Sequence, residues 1–165
     1  MKIITTAIIA LVFATSAFGA IPVTSKWKEK APITITVSGV SSFPVADQEL
    51  IRAAMRDWSA SPSVEFIEGE GGPVTIKVGN FCQYACALMG INKNHIVGVS
   101  IWINEAVLTW AERQWVYCHE LGHALGLGEG YPVEETGDYG SCMAGDGDHP
   151  SQMDMDTLAK MYRVR

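Results

Sequence analysis

Histidines 119 and 123 stand four residues apart, with a glutamate directly after the first, in the run His119-Glu120-Leu121-Gly122-His123. On a helix, residues four apart project from one face, so the two imidazoles can share one tetrahedral metal ion, and zinc suits such ligands. Glu120 lies beside that ion in the sequence without being one of its ligands. A zinc ion draws the pKa of a bound water down to about 7, and a nearby carboxylate can take the proton as the water attacks a carbonyl. These residue types at this spacing predict a hydrolytic centre, with His119 and His123 as ligands and Glu120 as general base. The bland alternative is a capped, exposed helix face carrying two solvated histidines. Gly126, three residues past His123 and followed by Leu127-Gly128, favours the metal. A helix that stops there turns the chain back toward the ion, so a third ligand can come from the next few residues.

The elements that must position this centre follow from periodicity. Pro32 to Val37 alternates with period two and predicts a strand. Asp47 is suited to cap a helix in which Leu50, Ile51, Ala54, Met55 and Trp58 recur at helical spacing, ending before Ser61-Pro62. Val64 to Ile67 and Val74 to Val78 read as strands around the turn Gly69 to Pro73, and Val97 to Ile103 as another. Gly79 to His95 reads as a loop carrying two cysteines. Thr109-Trp110-Ala111-Glu112 matches a capping box that would open the helix bearing both histidines, which would run to about Gly126. Gly128 to Pro150 is a long glycine-rich loop. A last helix opens near Ser151, a capping-box match with Asp154, and would bury Met155, Leu158, Ala159 and Tyr162.

Residues 1–19 combine Lys2, the apolar-rich run Ile3 to Phe18, and small residues at Ala17 and Gly19, which together describe a cleavable secretory signal. The run falls short of the roughly 20 residues a membrane span needs, and no later stretch approaches it. Residues 20–165 are then one exported domain without a membrane partner. Loss of Lys2 takes the formal charge from -6 to -7, and an acidic chain with no basic cluster is a poor partner for nucleic acid. Cys82, Cys86, Cys118 and Cys142 are an even count on an exported chain, which permits two disulfides in three connectivities.

The segment His119-Glu120-Leu121-Gly122-His123-Ala124-Leu125-Gly126-Leu127-Gly128-Glu129 resembles the metzincin clan of zinc metallopeptidases, in particular its small matrixin and snapalysin-like members. Their pattern is H-E-x-x-H-x-x-G-x-x-H, or a closing Asp in snapalysins. Ser141-Cys142-Met143 looks like the family's Met-turn, in which a methionine packs beneath the zinc. The resemblance implies an α+β domain, with a twisted mixed sheet of about four to five strands packed on two helices plus a C-terminal helix. It also implies one catalytic zinc held by His119, His123 and Glu129, and a peptide or protein substrate lying along the edge strand Val97 to Ile103. The expected function is that of a secreted or periplasmic, monomeric zinc endopeptidase. Cys118 would lie near Cys142 if the resemblance holds, and Cys82 can close on Cys86 if that loop turns sharply. The chain departs from the pattern in two places: Glu129 replaces the closing His or Asp, and no tyrosine follows two residues after Met143.

Other ligand sets are open to this sequence. Thermolysin-like enzymes use a glutamate from a later helix, but Glu134 and Glu135 follow His123 too closely. Thr136-Gly137-Asp138-Tyr139-Gly140 is similar to the Asp-bearing segment of deuterolysin-like peptidases, which makes Asp138 the second choice and His149 the third. His95 reads as structural. Asp146, Asp148, Asp154 and Asp156 match no complete calcium loop, so calcium is a minor alternative cofactor. A different class also stands: an exported binding protein on a metzincin scaffold whose activity has been lost.

Overall fold

The computed structural model describes residues 9–10, 25–129 and 140–162. Strand β3 (Ile33–Ser38) buries Ile33, Ile35 and Val37 on one face and turns Thr34 and Thr36 outward, as its alternation predicts. Helix α1 (Val45–Ser59) crosses back, and β4 (Val64–Glu68) then runs parallel to β3 with Ile33 opposite Val64. On the other side of β3 lies β5 (Val74–Val78), also parallel, and beyond it β7 (His95–Ile103). Next to β7, β6 (Ala85–Asn92) runs antiparallel. Two short pairings complete the sheet. The two residues of β2 (Lys26–Trp27) run parallel to the start of β7, and those of β1 (Ile9–Ala10) lie antiparallel to β6 at Gly90 and Met89. The rest of the expected leader, residues 1–8 and 11–19, lies outside the described residues.

The expected α+β class, with a mixed sheet on two helices and a third helix at the C-terminus, is what the chain adopts. Two expectations about the sheet are corrected. The segment Gly79 to His95 is not all loop: it contains β6, joined to β7 by the turn residues Lys93 and Asn94, both at positive φ. Their left-handed pair makes a two-residue hairpin. Alanine, methionine and glycine in β6 have weak strand preference, which hides its alternation of buried Ala87 and Met89. As a result β7 is an interior strand and not the edge expected of Val97–Ile103; β6 lies outside it, with β1 on its outer side at Met89 and Gly90.

Helix α1 buries Ile51, Ala54, Met55 and Trp58 against helix α2 (Gln114–Ala124) and the sheet. The helix-spaced apolar residues of the two helices meet β3, β5 and β7 in one core, where Ile76, Ile101, Ile103 and Leu121 are fully buried. Each contributes about 1.5–3 kcal/mol relative to exposure. α2 starts later than expected. Thr109 ends a 3-10 turn (Glu105–Thr109) and donates its hydroxyl to the Ala106 carbonyl, so the predicted capping box does not form. Helix α3 (Gln152–Met161) does open with the Ser151–Asp154 capping box and buries Leu158, with Tyr162 buried just past its end, while Ala159 is exposed.

Asp47 is not a cap. Val45 already follows Pro44 into α1, which leaves Asp47 inside the first turn and buried. There it accepts hydrogen bonds from Arg113 Nε at 2.6 Å and the Tyr117 hydroxyl at 2.6 Å, joining α1 to the start of α2. Burial pushes the Asp47 pKa up, but the bonds from Arg113 and Tyr117 and the Arg113 charge outweigh it, and the net direction is down. An unfolded Asp titrates near about 3.9. The pair's contribution is therefore complete above that pH and is lost as the pH falls through the lower folded-state value. Asp47→Ala should cost about 3 kcal/mol at pH 7, because it strands Arg113 beside a buried void. Urea denaturation at pH 7 and pH 3 should show this difference shrinking at the acid end; a loss under about 1 kcal/mol at pH 7 would refute the assignment.

Candidate metal centre

His119 and His123 lie one turn apart on α2 and are nearly buried, at 9% and 7% exposure. Each ring is held by its Nδ1: His119 donates to the Cys142 carbonyl at 2.9 Å and His123 to the Leu127 carbonyl at 3.0 Å. A carbonyl can only accept, so both Nδ1 atoms carry hydrogen and both Nε2 atoms present lone pairs. Those two Nε2 atoms face each other at 2.9 Å. Two lone pairs at that distance require a proton or a cation between them. Glu129 supplies the negative charge, its carboxylate oxygens standing 3.4 Å from each Nε2. The three ligand atoms lie within 4.8 Å of one another, the only such group among the described residues. Two imidazole nitrogens and a carboxylate, two of the three side chains buried, are a donor set that fits zinc.

The electrostatics follow from this crowding. Burial and the neighbouring His123 push His119 down to about 4, with Glu129 opposing. For His123 burial acts downward too, but the Glu129 hydrogen bond and the charges of Glu120 and Glu129 carry it up to about 9. The opposite shifts express one positive charge that the ring pair can hold, placed on His123. Glu129 is lowered because His123 and His119 overcome its burial. Glu120 is raised to about 7, chiefly by burial at 4% exposure, and its Oε2 has no hydrogen-bond partner.

Delivering Glu129 to the histidines requires the chain to reverse within five residues of Ala124. Gly126 does so at φ 89°, the left-handed conformation expected of it. Gly126 N–H donates to the His123 carbonyl and Leu127 N–H to the Gly122 carbonyl, a Schellman closure. The next two carbonyls are taken by the two ends of the chain. Trp27 Nε1 donates to Ala124 at 2.9 Å, and the Tyr162 hydroxyl donates to Leu125 at 2.6 Å. Every carbonyl that the end of α2 would otherwise leave unpaired is satisfied.

The floor of the site is also built from several elements. Met143 is buried, and both it and Trp58 approach Gly122 so closely that a side chain there would strike them. The Met143 turn is held by the Ser141 hydroxyl, which accepts from Met143 N–H at 3.0 Å and donates to Asp154 of the α3 capping box at 2.8 Å. Disulfides Cys118–Cys142 and Cys82–Cys86 both form, in the expected pairing, and the first ties α2 to this turn.

The remaining candidates lie elsewhere. His149 is exposed and pairs with Asp57 of α1 at 2.8 Å, away from the ring pair. His95 accepts or donates at the Lys26 carbonyl, 3.3 Å away, a packing role. Asp138, Glu134 and Glu135 lie outside the described residues. Asp146, Asp148, Asp154 and Asp156 form no metal-holding group among the described residues. Periodicity did not single out Trp27, and placed Tyr162 only in the core, because a hydrogen bond spanning most of the chain leaves no local pattern.

The fold is metzincin-like. The chain is similar in structure to myroilysin, at TM-score 0.58 and 16% identity over 89% of this chain and 100% of that one. It is likewise similar to high choriolytic enzyme 1, a hatching enzyme zinc-protease from the medaka fish Oryzias latipes, at TM-score 0.55 and 15% identity over 91% and 100%. No protein-family model matches the chain, and no curated protein sequence does.

Replacing glycine by alanine in a free helix stabilises it by about 1 kcal/mol. Gly122→Ala should do the reverse here and destabilise by about 1–3 kcal/mol, since the new methyl meets Trp58 Cζ2 at 2.7 Å and the Met143 sulfur. The sign of the change in urea midpoint decides the matter.

Proposed function

We propose that the protein is a secreted, monomeric zinc-dependent endopeptidase in which His119, His123 and Glu129 hold the metal and Glu120 is the general base. The observation that carries this reading is the convergence of two Nε2 lone pairs and one carboxylate on a point beside a buried, unpartnered Glu120 oxygen. Likeness of fold to a zinc-protease supports it. When bound, the zinc polarises the peptide carbonyl and makes the attacking water more acidic. Glu120 accepts the water's proton at Oε2 as the new C–O bond forms, and returns it to the leaving amine as the C–N bond breaks. Its burial keeps the carboxyl close to neutrality in its proton affinity, which suits both halves of that task.

An extended substrate is proposed to pair with the outer edge of β6, the one antiparallel strand beside α2, by strand addition. Removal of residues 1–19 would take β1 from that edge. Export is supported by the paired cysteines and by the lack, among the described residues, of any helix long and apolar enough to cross a membrane.

Two experiments test the roles. Quenched casein should be hydrolysed by the zinc-loaded protein and not after chelation; Glu120→Gln should lose at least about 100-fold in rate, the scale of general-base catalysis, while keeping one zinc per chain. A zinc-loaded Glu120→Gln protein with near-normal activity would exclude Glu120 as the base, and no hydrolysis by the unaltered protein would favour the inactive binding scaffold. For the ligands, Glu129→Ala should lose zinc on mild dialysis, measured by atomic absorption, whereas Asp138→Ala and His149→Ala keep it. The reverse result would move the third ligand to Asp138, in the deuterolysin-like manner.

A further inference from the structure

All three candidate ligands, His119, His123 and Glu129, lie inside the ring of chain that the Cys118–Cys142 disulfide closes across 24 positions. Both cysteines are fully buried. Cys118 directly precedes His119, and its carbonyl accepts from Trp58 Nε1 at 2.8 Å. At the far end, Cys142 offers the carbonyl that takes the His119 Nδ1 hydrogen at 2.9 Å. One residue thus carries both a bridged sulfur and the oxygen that orients a ligand ring.

The two histidines differ in what secures their acceptors. The Leu127 carbonyl that orients His123 is set by the reversal at the end of α2, where Leu127 N–H itself bonds to the Gly122 carbonyl. Cys142 belongs instead to residues 140–150, which form neither helix nor strand apart from a single bridge between Ser141 and His149. Their other side-chain ties lead away from α2, from the Ser141 hydroxyl to Asp154 at the start of α3 and from His149 to Asp57 on α1. Among the described residues, the only hydrogen bond between 140–150 and α2 is the one that His119 itself makes. Beyond it, the turn meets α2 through the disulfide and through Met143 packed on Gly122. The two Nε2 atoms, 2.9 Å apart, repel unless a cation separates them, so a His119 ring without a fixed acceptor is free to turn away.

We propose that the Cys118–Cys142 disulfide is a redox latch on the metal centre: the bridged chain holds zinc, and the chain with both cysteines reduced releases it. This rests on the reading of His119, His123 and Glu129 as zinc ligands. Opening is a thiol–disulfide exchange in which a dithiol reductant is oxidised to its own disulfide, the S–S bond breaks and each cysteine sulfur takes a hydrogen. The turn then comes away from α2, the Cys142 carbonyl leaves His119, and one of three ligands is no longer aimed. Loss of the hydrogen-bond partner of a ligating histidine weakens metal binding about 10–100-fold. Linkage makes the effect reciprocal: zinc, by fixing His119 against Cys142, favours the closed bridge by the same factor. On this reading the chain binds zinc poorly in a reducing compartment and acquires it when the bridge closes.

Two measurements test the latch. In competition with a chromogenic chelator, Cys118→Ala/Cys142→Ala should bind zinc about 10–100-fold more weakly than the unaltered, oxidised protein. Cys82→Ala/Cys86→Ala, which opens the other bridge, should stay within about 2-fold. Near-UV circular dichroism shows whether the zinc-free variants are folded; should the first fail, Cys118→Val/Cys142→Ala carries the comparison, and if neither folds the bridge is a staple of the whole fold and the latch is excluded. In the second measurement the unaltered protein is equilibrated in dithiothreitol buffers of graded potential, with free zinc clamped by a chelator, then alkylated for mass spectrometry. Saturating zinc should lower the Cys118–Cys142 midpoint by about 30–60 mV, the same factor converted for a two-electron couple, and leave Cys82–Cys86 where it was. Equal zinc affinity in the folded variant, a midpoint that stays, or one that rises because freed thiols take the metal, overturns the proposal. If the oxidised protein binds no zinc, the peptidase reading falls together with the latch; tight zinc binding without linkage defeats the latch alone and leaves casein hydrolysis intact.

Discussion

Two neutral imidazoles with their Nε2 lone pairs 2.9 Å apart repel each other unless something positive lies between them, and most of this chain's architecture serves to hold them there. Helical spacing brings the rings to one face, but it does not fix their rotation. That is done by two backbone carbonyls from outside the helix, one from Cys142 and one from Leu127, each taking an Nδ1 hydrogen. Hydrogen bonds of this kind set the tautomer and the direction of the remaining lone pair. The carbonyl of Cys142 is in turn fixed by its disulfide to Cys118, by the Ser141 hydroxyl and by the capping box of α3. A ring rotation at His119 is thus tied to a helix more than thirty residues further on.

The carbonyl of Leu127 depends on the reversal after α2, and that reversal draws on both ends of the chain. Trp27 and Tyr162 also bond to each other, the Trp27 N–H donating to the Tyr162 hydroxyl at 3.2 Å. The hydroxyl serves as acceptor for Trp27 and as donor to the end of the helix that carries the two histidines. Close packing adds to this: Gly126 leaves no room for a side chain against the Ser25 carbonyl. Gly126 therefore answers two demands, a left-handed backbone and close approach of another strand of chain.

At the other end of α2 the same logic applies with charge. Arg113 joins Asp47 on α1 to the Trp110 carbonyl, so the ion pair that anchors the helix start also anchors the aromatic rings beside His119. The Cys82–Cys86 loop and the Asn104 side chain do the same for Tyr84. Rigid support of this kind keeps these partly exposed rings in place.

Much of this was legible in the chain itself. The spacing of His119, Glu120 and His123, the left-handed stop at Gly126 and the nearness of Glu129 are local properties, set by helix geometry and by the conformations glycine permits. The strands β3, β4 and β5 and the buried face of α1 were readable for the same reason, since alternation and helical spacing are local. What tertiary structure alone decided has long reach. β6 became a strand although its alanines and glycine have little preference for one, because pairing with β7 and burial of Ala87 and Met89 outweigh propensity. Asp47 looked like a cap and became half of a buried ion pair, and Thr109 lost its expected capping role to a 3-10 turn closed by its own hydroxyl. Trp27, Tyr162 and Trp110 carry no local sign of what they hold. Their partners lie far along the chain, and a hydrogen bond between distant residues imposes no period or spacing on the sequence that encodes it.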